Sequence, residues 1–264
     1  MADGGVLERI GAATEKRVAR FKRERPVEGL RDELLYGRTP RSLSRALTGP
    51  APRVIAEIKF ASPSEGALRP GASDAEAARV AASYQAAGAA AISVLTEPEF
   101  FSGAPSYLAA ARRACPDACL LMKDFFIDAY QFELARACGA DAILLIAALL
   151  GPRLGELHAE ARSFGLSALI EVHDEEEAEA ALALGADVLG VNSRSLRTLK
   201  TDLGVARRLA PLARRAGAAV AESGLRSRAD IDDLIAHGYK GFLIGTSLMK
   251  AEDPGTALSD LLEL

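Results

Sequence analysis

The stretch IAEIKFASPSEG, residues 55–66, sets two charges, Glu57 and Lys59, two positions apart inside an apolar run. Such a run reads as a β-strand, in which residues i and i+2 project from one face. Ile55, Glu57 and Lys59 therefore share a side, while Ala56, Ile58 and Phe60 take the other. A charged pair half buried in a sheet is costly unless it is paired or used. The turn-forming cluster from Ser62 to Gly66 places this pair near the carboxyl end of the strand. Four further runs end on polar groups: Lys123; Glu171; Asn192 followed by Ser193 and Arg194; and Glu222 followed by Ser223. Any one of them is explained as well by solvation or mutual neutralisation. Five strand ends carrying such groups point to a common reactive site.

A second signal lies in ESGL, residues 222–225, and IGTSLM, residues 244–249. Both are small-residue turns that expose backbone N–H groups. Gly224 or Gly245 alone would serve a tight turn. Together, after the last two strands, they favour a phosphorylated small-molecule substrate. No GxGxxG or GxxxxGK[ST] sequence is present, which argues against a dinucleotide or P-loop nucleotide. His173 follows Glu171 by two and can share its face, whereas His158 and His237 read as helix residues, and no His cluster suggests a metal or a triad. DEEEAEA, residues 174–180, reads most simply as a solvated helix start whose carboxylates complement the helix dipole.

The elements that must position these groups follow from the rhythm of the chain. Residues 6–48 are helical and polar, with a first helix stopped by Pro26. Its basic run is interrupted by Glu15, Glu24 and Glu28, as on a solvated helix face. From Arg53 onward eight β-like runs alternate with alanine-rich helical runs, at 54–59, 90–95, 119–123, 142–147, 167–172, 187–191, 218–223 and 241–245. The helix after the first strand has Ser73 or Asp74 to cap it and Gly88 to end it. Gly88, Gly139, Gly185 and Gly238 each separate a helix end from a strand, echoing at steps of about 50 residues, or two βα units. The expected fold is α/β: a (β/α)8 TIM barrel over 53–264 with an amino-terminal helical extension over 1–52, all one domain. In this architecture sites lie at the carboxyl ends of the strands, where the polar groups gather.

The remaining composition restricts the partners. At 264 residues and 49% hydrophobic content the chain can bury a substantial core. A net charge of −4 and the lack of a basic aromatic tract argue against nucleic acid or an anionic membrane. Cys115, Cys119 and Cys138 read as reduced, buried thiols of a cytoplasmic protein. Neither a signal-peptide h-region nor a membrane-spanning apolar run is present in the sequence.

The motifs IAEIKFASPSEG, SVLTEPEFFSG, LLMKDFFID, ADAILLI, LIEVHDEEE, GVNSRSLRTL, AESGL and LIGTSLM occur in this order along nearly the whole chain. In them the sequence resembles the indole-3-glycerol phosphate synthase family of tryptophan biosynthesis, which also carries an amino-terminal helical extension. The resemblance implies closure of the indole ring of 1-(2-carboxyphenylamino)-1-deoxyribulose 5-phosphate, with loss of carbon dioxide and water and without a cofactor or metal. Ring closure needs an acid on the ketone oxygen, and the later dehydration needs a base and an acid again.

By motif, Lys123 matches the family's general acid and Glu171 the base of dehydration. Glu57 would orient the substrate and Lys59 contact its anionic groups; either lysine could donate the first proton. Asn192 matches a substrate-positioning residue and Arg194 an arginine of the anionic site. Ser223, Gly224, Gly245 and Thr246 match the phosphate-binding turns, beside Glu222. Ser62 falls in the substrate loop, and Leu95 and Phe101 would bound the anthranilate pocket. Phe60 departs from the basic residue most members carry there, and Thr246 stands where many have serine. The extension would either cover the site or brace the barrel, and the chain is expected to work as a monomer. A phosphoribosylanthranilate isomerase is the competing barrel enzyme, but its Cys and Asp acid–base pair has no counterpart here. A catalytically silent binding protein would have lost the strand-end charges, and all are present.

Overall fold

A computed structural model describes residues 5–196 and 198–263. Residues 1–4, Arg197 and Leu264, which belong to stretches read above, lie outside the described residues. The barrel strands are β1 Arg53–Ile58, β2 Ala91–Leu95, β3 Leu120–Lys123, β4 Ala142–Ile146, β5 Ser167–Val172, β6 Val188–Asn192, β7 Ala218–Glu222 and β8 Gly241–Ile244. Each lies within one residue of its expected run. All pair in parallel with their sequence neighbours, and β8 pairs with β1 to close the barrel. The helices are α1 Val6–Glu24, α2 Val27–Arg31, α3 Leu43–Ala46, α4 Asp74–Ala86, α5 Pro98–Phe101, α6 Pro105–Ala114, α7 Tyr130–Ala137, α8 Ala147–Leu150, α9 Leu154–Ser163, α10 Glu175–Ala183, α11 Leu203–Ala213, α12 Arg228–Ala236, α13 Thr246–Lys250 and α14 Pro254–Leu262. Ser73 caps α4 by accepting from the Glu76 amide, and Gly88 follows its end at φ 81°.

Parallel strands are buried on both faces, which explains their nearly continuous apolar runs. Alternation sorts the residues into two layers. Ile55, Leu121, Leu144, Leu169, Val188, Val220 and Leu243 fill the barrel, while Val54, Ala56, Ile58 and Phe60 pack outward against the helices. Phe60 sits edge-on to Tyr107 at 5.4 Å, away from the Glu57 and Lys59 face as the alternation predicts. A short antiparallel hairpin, Ala61–Ser62 with Gly66–Ala67, orders the first loop and was not read from the sequence.

The extension does two jobs. At the floor of the barrel, Leu43 and Leu47 join the inner core, the Leu43 amide donates to Ser167 Oγ at 3.1 Å, and Asp141 accepts from Arg38, from the Arg41 amide and from Arg112. At the opposite end α1 lies against the strand termini, with Ile10 in the inner core and Arg17 buried beneath the helix. The extension thus both braces the barrel and covers its mouth. Among the described residues no helix is long and apolar enough to cross a membrane. Cys115, Cys119 and Cys138 are free and buried, and burial pushes the Cys119 and Cys138 thiols up to about 12.

Candidate active site

Strand alternation and closure bring the scattered charges to one cavity of about 630 Å³ at the carboxyl ends of the strands. All fourteen candidate residues line it: Glu57, Lys59, Ser62, Leu95, Phe101, Lys123, Glu171, Asn192, Arg194, Glu222, Ser223, Gly224, Gly245 and Thr246. On β1, Lys59 Nζ lies 2.7 Å from Glu57 Oε1. Lys123 Nζ lies between two carboxylates, 2.9 Å from Glu222 Oε2 and 3.3 Å from Glu171 Oε2. Asn192 Oδ1 accepts from the Arg194 amide at 2.9 Å, which turns the chain after β6.

Two glycines make this packing possible. A Cβ on Gly190 would stand 2.1 Å from Glu222 Oε1, and one on Gly245 would stand 2.5 Å from Glu57 Oε1. Each carboxylate lies over the neighbouring strand where a side chain would otherwise be. Gly245 was expected only as part of the phosphate turn, and Gly190 was not singled out at all. Their contacts depend on inter-strand register, which a single strand does not encode.

The electrostatics follow from enclosure. Burial works against charge on Lys123, but the carboxylates of Glu222, Glu171 and Glu57 outweigh it and raise its pKa, so the ammonium is held. Burial likewise opposes ionisation of Glu171, yet Lys123, His173 and a hydrogen bond from Asn192 bring its pKa below the usual carboxylate range. Glu222 goes the other way. Burial, with the charges of Glu171 and Glu57, pushes it up to about 7 despite Lys123. Two adjacent carboxylates with separated proton affinities can hold and move protons at neutral pH.

The apolar wall comes partly from unexpected residues. Leu95 and Phe101 are joined by Phe125, its ring centroid 6.0 Å from that of Phe101, and by Val6, Leu7 and Ile10 of α1. Val6 and Ile10 stand at helical spacing, the only signal in the sequence that this face of α1 is apolar. Beneath it Arg17 donates to Glu97 Oε1 at 3.0 Å and also to Asp124, the residue after Lys123. Glu97 in turn accepts from the amides of Glu99, Phe100 and Phe101, holding Phe101 at the cavity.

Across the cavity lie the turns after β7 and β8. Ser223 and Gly224 have φ of 64° and 82°, and Gly245 precedes α13. A Cβ on Gly224 would stand 2.6 Å from Thr201 Cγ2, so both space and backbone favour glycine there. Arg194, Arg226 and Lys250 line the same end, and Lys250 Nζ lies 2.6 Å from Glu65 Oε2 of the first loop. Neither Arg226 nor Lys250 had a motif to mark it.

Comparison with known proteins gives a consistent picture. The sequence profile described as Indole-3-glycerol phosphate synthase matches residues 7–261. A protein of that name from Carboxydothermus hydrogenoformans is 44% identical, covering 97% of this chain and 99% of its own. Its namesake from Burkholderia multivorans is 45% identical over 96% of this chain and 97% of the relative. Among solved structures, thiamine phosphate pyrophosphorylase from Pyrococcus furiosus aligns with a TM-score of 0.61 at 20% identity, covering 84% of this chain and 96% of that one. A 3-hexulose-6-phosphate synthase aligns with a TM-score of 0.62 at 17% identity, covering 79% and 97%. These two likenesses concern the fold alone.

Proposed function

Since the chain belongs to the indole-3-glycerol phosphate synthase family, we propose how its residues divide the reaction. The enzyme is a carboxy-lyase of tryptophan biosynthesis. It closes the indole ring of 1-(2-carboxyphenylamino)-1-deoxyribulose 5-phosphate with loss of carbon dioxide and water. The observation that carries the assignment of roles is the position of Lys123 between Glu171 and Glu222.

Lys123 is the general acid. As the ring carbon bearing the carboxylate attacks the ketone, the ketone oxygen becomes far more basic than either carboxylate. A held ammonium gives its proton to that oxygen and to nothing weaker. Lys59, paired with Glu57 on β1, steadies the substrate's anionic groups. Loss of carbon dioxide restores part of the aromatic system. Glu171 then takes a proton from the methylene carbon beside nitrogen while an acid protonates the departing hydroxyl. Asn192 and Glu222 position the polyol chain. Ser223, Gly224, Gly245 and Thr246 receive the phosphate through N–H and hydroxyl donors, with Arg194 beside them. Leu95 and Phe101 flank the anthranilate ring, and Ser62 closes over it with the first loop.

The three buried thiols suit a reducing cytoplasm. Among the described residues only Leu34 and Leu184 are exposed large hydrophobics, which favours a monomer; light scattering would test it. The test of the roles is Lys123→Ala assayed for indole-3-glycerol phosphate. A loss of about 100-fold to 10,000-fold in turnover with an intact fold is expected. Activity within threefold of the unaltered enzyme would sink the assignment.

A further inference from the structure

His173 is buried against the site, and the mechanism above leaves it unused. It follows β5, with Nε2 3.5 Å from Glu171 Oε1 and Nδ1 3.3 Å from Glu177 Oε2. Among the described residues Nε2 is buried and makes no hydrogen bond, and it stands 3.5 Å from an oxygen of the carboxylate proposed as base. The DEEE stretch accounts for the ring's placement. Asp174 caps α10 by accepting from the Glu177 amide, and Glu177 reaches back to accept from the His173 amide at 2.8 Å. A run that reads as a solvated helix start thus contains the clamp for this imidazole.

The two oxygens of Glu171 face different cations. Oε2 faces Lys123 and Oε1 faces His173. When substrate binds and Lys123 turns its proton to the ketone, Oε2 loses its partner. A buried carboxylate left without a cation takes up a proton and ceases to be a base. The titratable groups that raise the His173 pKa are carboxyls, Glu171 at the end of β5, Glu177 on α10 and Glu222 on β7, with Lys123 beyond Glu171.

We propose that His173 is a positioning residue of the reaction: its imidazolium, clamped by Glu177, stays on Glu171 Oε1 and keeps that carboxylate ionised while Lys123 is engaged with the substrate. The proposal rests on the reading of Glu171 as base. Burial opposes the charge on His173, but the Glu177 hydrogen bond and the carboxylates of Glu171, Glu177 and Glu222 prevail and raise its pKa above the ordinary imidazole value, which favours the cation. Glu177 is one-fifth exposed, which lets His173 exchange protons with solvent while substrate fills the cavity.

Two measurements test this. The first is the pH dependence of kcat in His173→Gln. Removing the cation raises the pKa of Glu171 in the loaded enzyme, so the acid limb moves to higher pH by about one unit. On that limb the variant is about tenfold slower than the unaltered enzyme, and the deficit shrinks as pH rises. A purely structural role would lower the whole profile and leave the limb in place. The second is an NMR titration of the His173 ring, which is resolvable because the chain has 3 histidines. Coupling is reciprocal, so Glu171→Gln lowers the His173 pKa by a similar amount. That result decides the matter without activity, even if His173→Gln fails to fold. Superimposed acid limbs, or a His173 titration untouched by Glu171→Gln, would overturn the proposal. Glu171→Gln with unaltered turnover would instead remove the base reading on which it rests.

Discussion

Gly245 leaves the space that Glu57 fills: a Cβ there would stand 2.5 Å from Glu57 Oε1 and 2.9 Å from Glu57 Cβ. The glycine of the expected phosphate turn is therefore also the seat of the carboxylate that pairs with Lys59 at 2.7 Å. Gly245→Ala must displace Glu57, its Cβ included, from its present place beside Lys59. We expect kcat to fall by at least about tenfold, the scale of a small misplacement in a catalytic site, along with a rise in KM. Thr246→Val, which exchanges the hydroxyl for a methyl of similar size, should act mainly on KM, since a phosphate contact is the same in substrate and transition state. Steady-state kinetics of both variants separate the two roles. Gly245→Ala with kcat within twofold of the parent would refute the seating of Glu57.

Gly190 stands in the same relation to Glu222, with a Cβ there 2.1 Å from Glu222 Oε1. Gly190→Ala pushes that carboxylate off Lys123. The other close neighbour, Leu169 Cδ1 at 3.1 Å, is a side-chain end that can give way. The variant should fold, by circular dichroism, yet lose at least about tenfold in kcat. Undiminished turnover in a folded Gly190→Ala enzyme would show that the position of Glu222 is immaterial.

Glu222 also makes stability depend on pH. Its folded pKa is raised from 4.5 to about 7. A carboxyl raised in this way contributes stability that is fully present below 4.5 and is lost as pH climbs through about 7. Glu222→Gln removes that loss. Relative to the unaltered enzyme, the variant should gain roughly 2–3 kcal/mol between pH 5 and pH 8 in urea unfolding, while losing activity. An equal difference between the two proteins at both pH values would contradict the raised pKa.

Arg17 ties α1 to the catalytic strands through Glu97 and Asp124, with its own side chain and both partners almost wholly buried. Arg17→Met leaves two buried carboxylates without their cation, which costs about 3–5 kcal/mol. Because Glu97 caps α5 and holds Phe101 at the cavity, KM should rise as well. Denaturant unfolding within about 1 kcal/mol of the parent would mean that the network contributes little.

The eight strands, the face shared by Glu57 and Lys59, and the strand ends that carry Lys123, Glu171 and Glu222 were legible in the sequence, because a period of two and a turn residue are local properties of the chain. Barrel closure then carried those groups to one mouth, as a parallel eight-stranded topology requires. What the tertiary structure alone decided is which groups touch. Lys123 and Glu222 are separated by 99 residues, and Arg17 and Asp124 by 107. The spaces at Gly190 and Gly245, the face of α1 over the cavity and the clamp of Glu177 on His173 arise from register, strand tilt and docking. Those quantities are set by how the whole core packs, so no single segment of the sequence contains them.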